Sequence, residues 1–596
     1  MHNSNLNNRN NFHTYALEYS HYRVEILDTV FSTPEGNEYP GTASLTFTSR
    51  SGHEQSVVTF GYLSEADIFQ LIDDEAPLQL DHCYIDRLYL SVYREQRGLG
   101  EKHPVIIKDF SARHTFFDCP SPVDLSYAEF SGSDVNFEEA HFARNSIIML
   151  ATRFDNCGLN FSNVKIKDGD LDFTGLVINE GDVNFKNSQF GPGNVNFHDA
   201  AFGTGTINFT NTNFGDGNVS FVNTNFGDGD VSFKVAVFCK GKVDFHYAKF
   251  AGGDISFERT EFGEGWKDFR TVEFGTGRVN FNRSIFGDGE VSFEASQLKE
   301  GKLSFKRAEF GKGKVDFELA EYENVDASFD RADFGEGSIS FFNSKFKTLC
   351  LEGCHFNQYL DLRMASCEMI DLSDTVVRDI VDLRPHAFDI KIGSINFSGM
   401  RLIGRLFIDW KDNNVQKLIM SQEDTTKRLK AEQFRTLKSN FSATGQYNDE
   451  DKAYLEFKRL ESKAILEESL QKNKFSALWM YPVYGFKLLV FDWAGHYATN
   501  PLRVIISIGI VYSFNSLLVM FLQLVTSGEI TSSVSDFDKM SLAAKAFYYT
   551  VVTFFTIGYG DFYPIGPLRP MAGVIGFTGV FLMSYFTVAF VRKILR

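Results

Sequence analysis

The sequence predicts a multidomain chain: a small β-rich N-terminal cap, a long β-helix, a helical hairpin linker, and an all-α membrane domain with two spans. Three observations predict it. Through the middle of the chain, large apolar residues recur at alternating steps of five and seven. From about residue 421 the apolar period becomes helical. Near the C-terminus, two apolar stretches without a charge are each long enough to cross a bilayer.

At 596 residues the chain is too long for one ordinary core. A net charge of −18 lacks the basic footprint that nucleic-acid binding needs, so no nucleic-acid partner is expected. An acidic rod that mimics a nucleic acid stays open. The seven cysteines form no CxxC pair and read as reduced thiols. No nucleophile, base and orienting group cluster, so neither an enzyme nor a cofactor is expected. Residues 1–12 are polar and read as a disordered tail without a signal peptide. Residues 13–115 hold short alternating runs such as "RVEILDTVF" and "QSVVTFGYL", broken by Pro-Glu-Gly and Tyr-Pro-Gly, and read as a small β-rich domain.

Residues 125–407 carry the repeat. "GNVNFHDAAFGT" is followed by "GTINFTNTNFGD", and the period of twelve holds through Phe346 before the frame slips. Two residues before most repeat phenylalanines stands a small or β-branched residue, as Val195 before Phe197, with a polar residue between. Apolar, polar, apolar is the period of a strand with both apolar side chains inward. A fixed period this long means a solenoid. The seven-residue step adds Gly-x-Gly, as at Gly215 and Gly217, which suits a protruding turn with positive φ. Two repeats would make a four-sided coil of 24 residues; a two-sided coil of 12 is the alternative. Turns such as "GDGN" admit a calcium reading, but equivalent turns read "GPG" and "GKG", which favours plain turn chemistry. The unit resembles that of the pentapeptide-repeat family, and the resemblance implies a right-handed quadrilateral β-helix.

Residues 421–472 read as a helical hairpin, with Phe434, Leu437 and Phe441 on one face and Ala453, Phe457, Leu460 and Ala464 on the other helix. Residues 475–500 are aromatic and apolar but interrupted by Pro482, Lys487 and Asp492, as suits a segment lying on the membrane. Residues 504–526 form the first span and 571–591 the second. Arg503 precedes the first span and Arg592, Lys593 and Arg596 follow the second, so both termini are expected in the cytoplasm. Between the spans, residues 541–553 are too short to cross and suit a re-entrant half-helix. "TIGYGD", residues 556–561, follows it.

Span, half-helix, "TIGYGD" and span, in that order, resemble the two-transmembrane potassium channels. The resemblance implies a homotetramer in the plasma (inner) membrane with potassium as the permeant ion. It implies ion coordination by the carbonyls of Thr556, Ile557, Gly558 and Tyr559 and the Thr556 hydroxyl, with Gly560, Asp561, Thr553, Tyr548 and Tyr549 supporting the filter. Two departures stand out: Phe555 where threonine is common, and Val552 where some members carry a glutamate that braces the aspartate. Gly579, or Gly576 one turn away, is expected as a gating hinge, and Gly573 as a packing position. No Arg-rich helix precedes the first span, so regulation is expected from the solenoid through an unknown cytoplasmic ligand or protein. A weakly selective cation channel and a membrane-anchored interaction scaffold are the rival readings.

Overall fold

The computed structural model describes residues 19–33, 35–49, 55–386, 390–533 and 540–595; the expected tail at residues 1–12 lies outside them. The chain divides into two compact units, Met1–Ser421 and Gln422–Arg596.

The first unit opens with an antiparallel sheet, in which Gly41–Ser49 pairs with both Tyr19–Leu27 and Gln55–Tyr62. That sheet does not end there. Gln55–Tyr62 pairs in parallel with Cys83–Ile85, which pairs in turn with Phe116–Phe117 and the faces that follow. The cap and the β-helix therefore share a sheet, and parallel coiling begins near residue 77 rather than at 125. The early coils escape the repeat pattern because they carry insertions. Tyr84 pairs with Phe116, a step well beyond the regular one, and the loop between holds helix α2 (Leu90–Gln96); α1 (Glu65–Asp73) precedes it. Buried Asp118 ties cap to coil, accepting from the Tyr22 hydroxyl and, at 2.8 Å, from that of Tyr84.

In the regular coils Val195 pairs with Val219 and Val183 with Ile207, and side chains 24 residues apart bond along the stack, as Asn223 does to Asp199. Two repeats therefore close one coil, and the coil of a single repeat is excluded. The phenylalanines form columns down the core. Phe197, Phe221, Phe245, Phe269, Phe293, Phe317 and Phe341 stack with ring centroids 4.7–5.2 Å apart. A second column runs from Phe185 to Phe329 at 4.6–5.0 Å. The two columns meet edge to face at 5.5–5.9 Å, the geometry the ring quadrupole favours. The slip after Phe346 also has a cause. Ile339 pairs with Leu360 and Leu360 with Val381, both steps shorter than the regular one, and Val381 pairs with Leu406, a longer step. A short helix, α3 (Val415–Met420), follows the last coil.

The glycines answer two constraints, and the first glycine of several turns meets both: a Cβ on Gly215 would lie 1.9 Å from the Gly191 carbonyl oxygen. Gly215, Gly227 and Gly287 have positive φ, as turn chemistry requires. The second glycine of each Gly-x-Gly does not, yet a Cβ on Gly217 would lie 1.9 Å from the Gly193 carbonyl oxygen. It is glycine because one coil's backbone sits on the next. Two turn carboxylates are ion-paired across coils, Asp216 to Lys240 at 2.7 Å and Asp288 to Lys312 at 2.9 Å.

One coil breaks its own rule. Lys267 stands in the inward column between Val243 and Val291, is fully buried, and donates to the Gly263 carbonyl at 2.7 Å. Burial pushes its ammonium down to about 8. The unfolded chain keeps the proton up to the ordinary lysine range, so the penalty for burying the charge is full below pH 8 and fades as pH rises above it. Lys267→Val should therefore stabilise the solenoid at pH 7 by up to about 3 kcal/mol, taking about 1.4 kcal/mol for each tenfold weakening of proton binding. The gain should shrink toward pH 10, and melting curves at the two pH values would refute this by showing an equal difference.

In the second unit, α4 (Lys427–Ala443) is capped by the Thr426 hydroxyl and turns at Gly445 into α5 (Tyr447–Lys472). Phe434, Leu437 and Phe441 on α4 and Ala453, Leu460 and Ala464 on α5 are buried. α6 (Ala477–Lys487) and a π-helical turn (Leu488–Trp493) lead to α7 (Pro501–Val525), and Phe475 and Trp479 are 92% and 76% exposed. Asn500 caps α7, with Pro501 at its first position. α8 (Leu542–Phe554) and α9 (Arg569–Ile594) complete the unit. Both α7 and α9 are long and apolar enough to cross a membrane.

Candidate functional site

The site is built at the C-terminal end of α8. Ser541 starts that helix by accepting from Ala544 N. Tyr512 of α7 holds it, donating to the Phe547 carbonyl at 3.3 Å and meeting Phe547 and Phe554 edge to face. The helix ends in a tight turn: Thr556 N donates to the Thr553 carbonyl and Ile557 N to that of Val552. Thr553 thus supports the following strand through its backbone.

From Thr556 the backbone alternates in handedness. Thr556, Gly558 and Gly560 have φ of +55°, +65° and +72°, whereas Ile557 and Tyr559 between them keep ordinary negative φ. Alternation of right- and left-handed residues turns successive peptide planes the same way, amides to one side and carbonyls to the other. Glycine takes the left-handed places without strain at two of the three positions. The Thr556 hydroxyl donates to the Phe555 carbonyl at 2.7 Å, which leaves its oxygen lone pairs available. Thr556 to Gly560 are all exposed within the single chain, Tyr559 by 72%.

Asp561 is held from two sides. Its Oδ2 accepts from the Tyr548 hydroxyl at 2.7 Å, and its Oδ1 accepts from Phe562 N. Tyr548, rather than the residue at Val552, meets this carboxylate. Tyr549 is instead buried among Val519, Phe554, Ile575 and Leu582. Two features escaped the sequence. Glu529–Ser532 pairs antiparallel with Phe562–Ile565. Ser533 then donates its N to the Asp561 carbonyl at 2.8 Å and its Oγ to the Gly560 carbonyl at 3.1 Å. The strands are four residues long, too short for alternation to register.

The glycines of α9 divide differently from expectation. A Cβ on Gly579 would lie 1.8 Å from the Phe554 carbonyl oxygen; on Gly576 the nearest atom is Thr553 O at 3.8 Å; on Gly573 nothing lies within 4 Å. The close-packing position is Gly579, not Gly573, and α9 runs unbroken through all three. Gly579→Ala should therefore push α9 off α8 and lower the yield of assembled protein, while Gly573→Ala should be silent; size-exclusion profiles in detergent decide. Tyr548→Phe removes the charge-assisted hydrogen bond to Asp561. The variant should melt at a lower temperature in detergent than the unmodified protein, and an unchanged melting curve would show the contact to be idle.

Residues 504–596 match the family model described as an ion channel. No curated protein and no solved structure matches the chain. The matched region begins within α7, contains the paired strands Glu529–Ser532 and Phe562–Ile565, α8 and the alternating strand, and reaches the end of α9. Ion channels move ions without covalent chemistry. Residues 504–596 are an ion-channel pore domain, and the protein is a membrane protein that joins this pore domain to an N-terminal β-solenoid.

Proposed function

We propose that the protein is a potassium-selective channel that conducts as a homotetramer in the plasma (inner) membrane, with both termini in the cytoplasm. The observation that carries this reading is the alternating backbone of Thr556–Gly560 on a strand that its own chain leaves uncovered. The carbonyls of Thr556, Ile557, Gly558 and Tyr559, with the Thr556 hydroxyl, would replace the hydration shell of potassium, as such ladders do in potassium channels generally. One strand cannot encircle an ion. Four copies about a common axis, each giving one strand, can, and cyclic symmetry closes such a ring. Gly560 and Asp561, with Tyr548, Tyr549 and the Thr553 carbonyl, hold the ladder from behind. The solenoid would act as the regulatory domain, since the hairpin and residues 475–500 join it to the first span. A ligand or protein on the solenoid shifts opening only by favouring one pore state over another.

A second reading has its own observation. Phe555, packed on Phe554 at 5.3 Å, stands where threonine is common in potassium filters, and a wider inner site would make a weakly selective cation channel. Reversal potentials of the purified protein in bilayers with mixed sodium and potassium separate the two. A reversal potential near that of potassium supports the proposal; one near zero in asymmetric mixtures favours the second reading. Gly558→Ala should abolish the current with tetramer assembly intact, because a Cβ opposes the left-handed backbone at that position. Persistent potassium-selective current in that variant would overturn the ladder. A variant without current that still binds a solenoid partner normally would favour the scaffold reading.

A further inference from the structure

The cytoplasmic end of α9 is gripped by α5. Asp451, in the first turns of α5 and 9% exposed, accepts from Arg592 at 2.9 Å and from Lys593 at 2.8 Å. The Arg592 guanidinium also lies over the Tyr454 ring, 4.5 Å from its centre. The arrangement is electrostatically consistent: bases close the C-terminal turn of α9, and acids crowd the N-terminal end of α5, each where a helix dipole favours it. Lys438 and Glu450 pair beside it at 3.7 Å, and Lys452 pairs with Asp449 at 2.8 Å.

The same helix grips the entry to the first span. Arg459, two turns further along α5, makes a two-pronged bond to Asp492 at 2.9 Å on both arms. Asp492 lies in the π-helical turn whose neighbours are tied to both spans. Arg503 of α7 donates to the Trp493 carbonyl, Ser507 of α7 donates to the Ala494 carbonyl, and Tyr585 of α9 donates to the Phe491 carbonyl and accepts from Ala498 N at 2.8 Å. α5 thus carries ion pairs both to α9 and to the segment that enters α7, within about 12 Å of its own length at about 1.5 Å per residue.

We infer that Asp451 is a positioning residue for conduction: by holding Arg592 and Lys593 it sets the place of the inner end of the second span, and α5 is the element through which the cytoplasmic part of the chain acts on the pore. The inference rests on the channel reading above. Four second spans arranged about an axis widen or narrow the inner mouth as their cytoplasmic ends part or converge. A contact at those ends biases the balance when one arrangement makes it and the other breaks it. Nothing in this grip touches the carbonyl ladder, so its loss alters how often the pore is open and leaves alone which ion passes.

The test is single-channel recording of the full-length protein in bilayers. Asp451→Asn, nearly isosteric, should change open probability at least about threefold, the lower range of coupling between charges in contact. Unitary conductance and reversal potential should stay at their unmodified values. Asp451→Glu should fall between. Exchanging the charges, Asp451→Arg with Arg592→Glu and Lys593→Glu, should return open probability to within about twofold of the unmodified channel, which a merely structural role for Asp451 would not produce. Unchanged open probability in Asp451→Asn overturns the inference, as does failure of the exchange to restore gating in tetramers of normal conductance. Absence of any current from the unmodified protein would instead overturn the channel reading, and this inference with it.

Discussion

Left-handed backbone is the constraint on which both units turn. L-residues avoid it at a cost of about 1–2 kcal/mol each, yet the solenoid uses it at every repeat and the pore strand at every second residue. In the solenoid the residue two past each inward phenylalanine of one column set takes it: Asn187, Asp199, Asn211 and Asn223 at φ of 56–61°. Asparagine and aspartate tolerate the region and bond along the ladder, Asn223 to Asp199 and Asn211 to Asn187. Where Val235, Tyr247 and Leu319 occupy the same place, the stacked coils above and below must over-determine the corner. The pore strand has no such neighbours within one chain. It is held at its two ends, by the close of α8 and by Asp561, and is otherwise exposed.

The two units were legible in the sequence to different depths. The phenylalanine columns follow from the five-and-seven spacing, since side chains that recur in register must stack once the coil closes. The register itself, two repeats to a coil, needed the pairing of Val195 with Val219. Spacing could not show that the coils begin near residue 77, because the insertion between Tyr84 and Phe116 hides the period. Turn chemistry explained the first glycine of those turns where φ is positive, as at Gly215 and Gly227. The second glycine depends on a carbonyl one full coil away, Gly193 for Gly217, and is invisible to any local rule. Lys267 is legible as an exception only after the column of valines around it is known.

In the pore domain the strong signals were long: two apolar spans and a glycine-punctuated strand between them. The weak ones were short or distant. Ser533 holds the Gly560 and Asp561 carbonyls from a segment with no pattern of its own, and Tyr548 reaches Asp561 across a helical turn and a strand. The three α9 glycines look equivalent in sequence. What separates them is how near the end of α8 each one comes, with the Phe554 carbonyl against Gly579 and open space at Gly573.

The uneven coils near the end of the solenoid carry a consequence for how such a chain can change length. Across the shortened and lengthened coils there the short strands keep their partners, Ile339 with Leu360, Leu360 with Val381 and Val381 with Leu406. A gain or loss of one whole coil in the regular region would leave every later side chain on its original face, whereas half a coil would carry everything downstream to the opposite face. Duplication in whole coils is therefore nearly neutral for the core, and duplication in single repeats is not. The rod can lengthen by discrete increments, and its outward faces keep their alignment with whatever binds them.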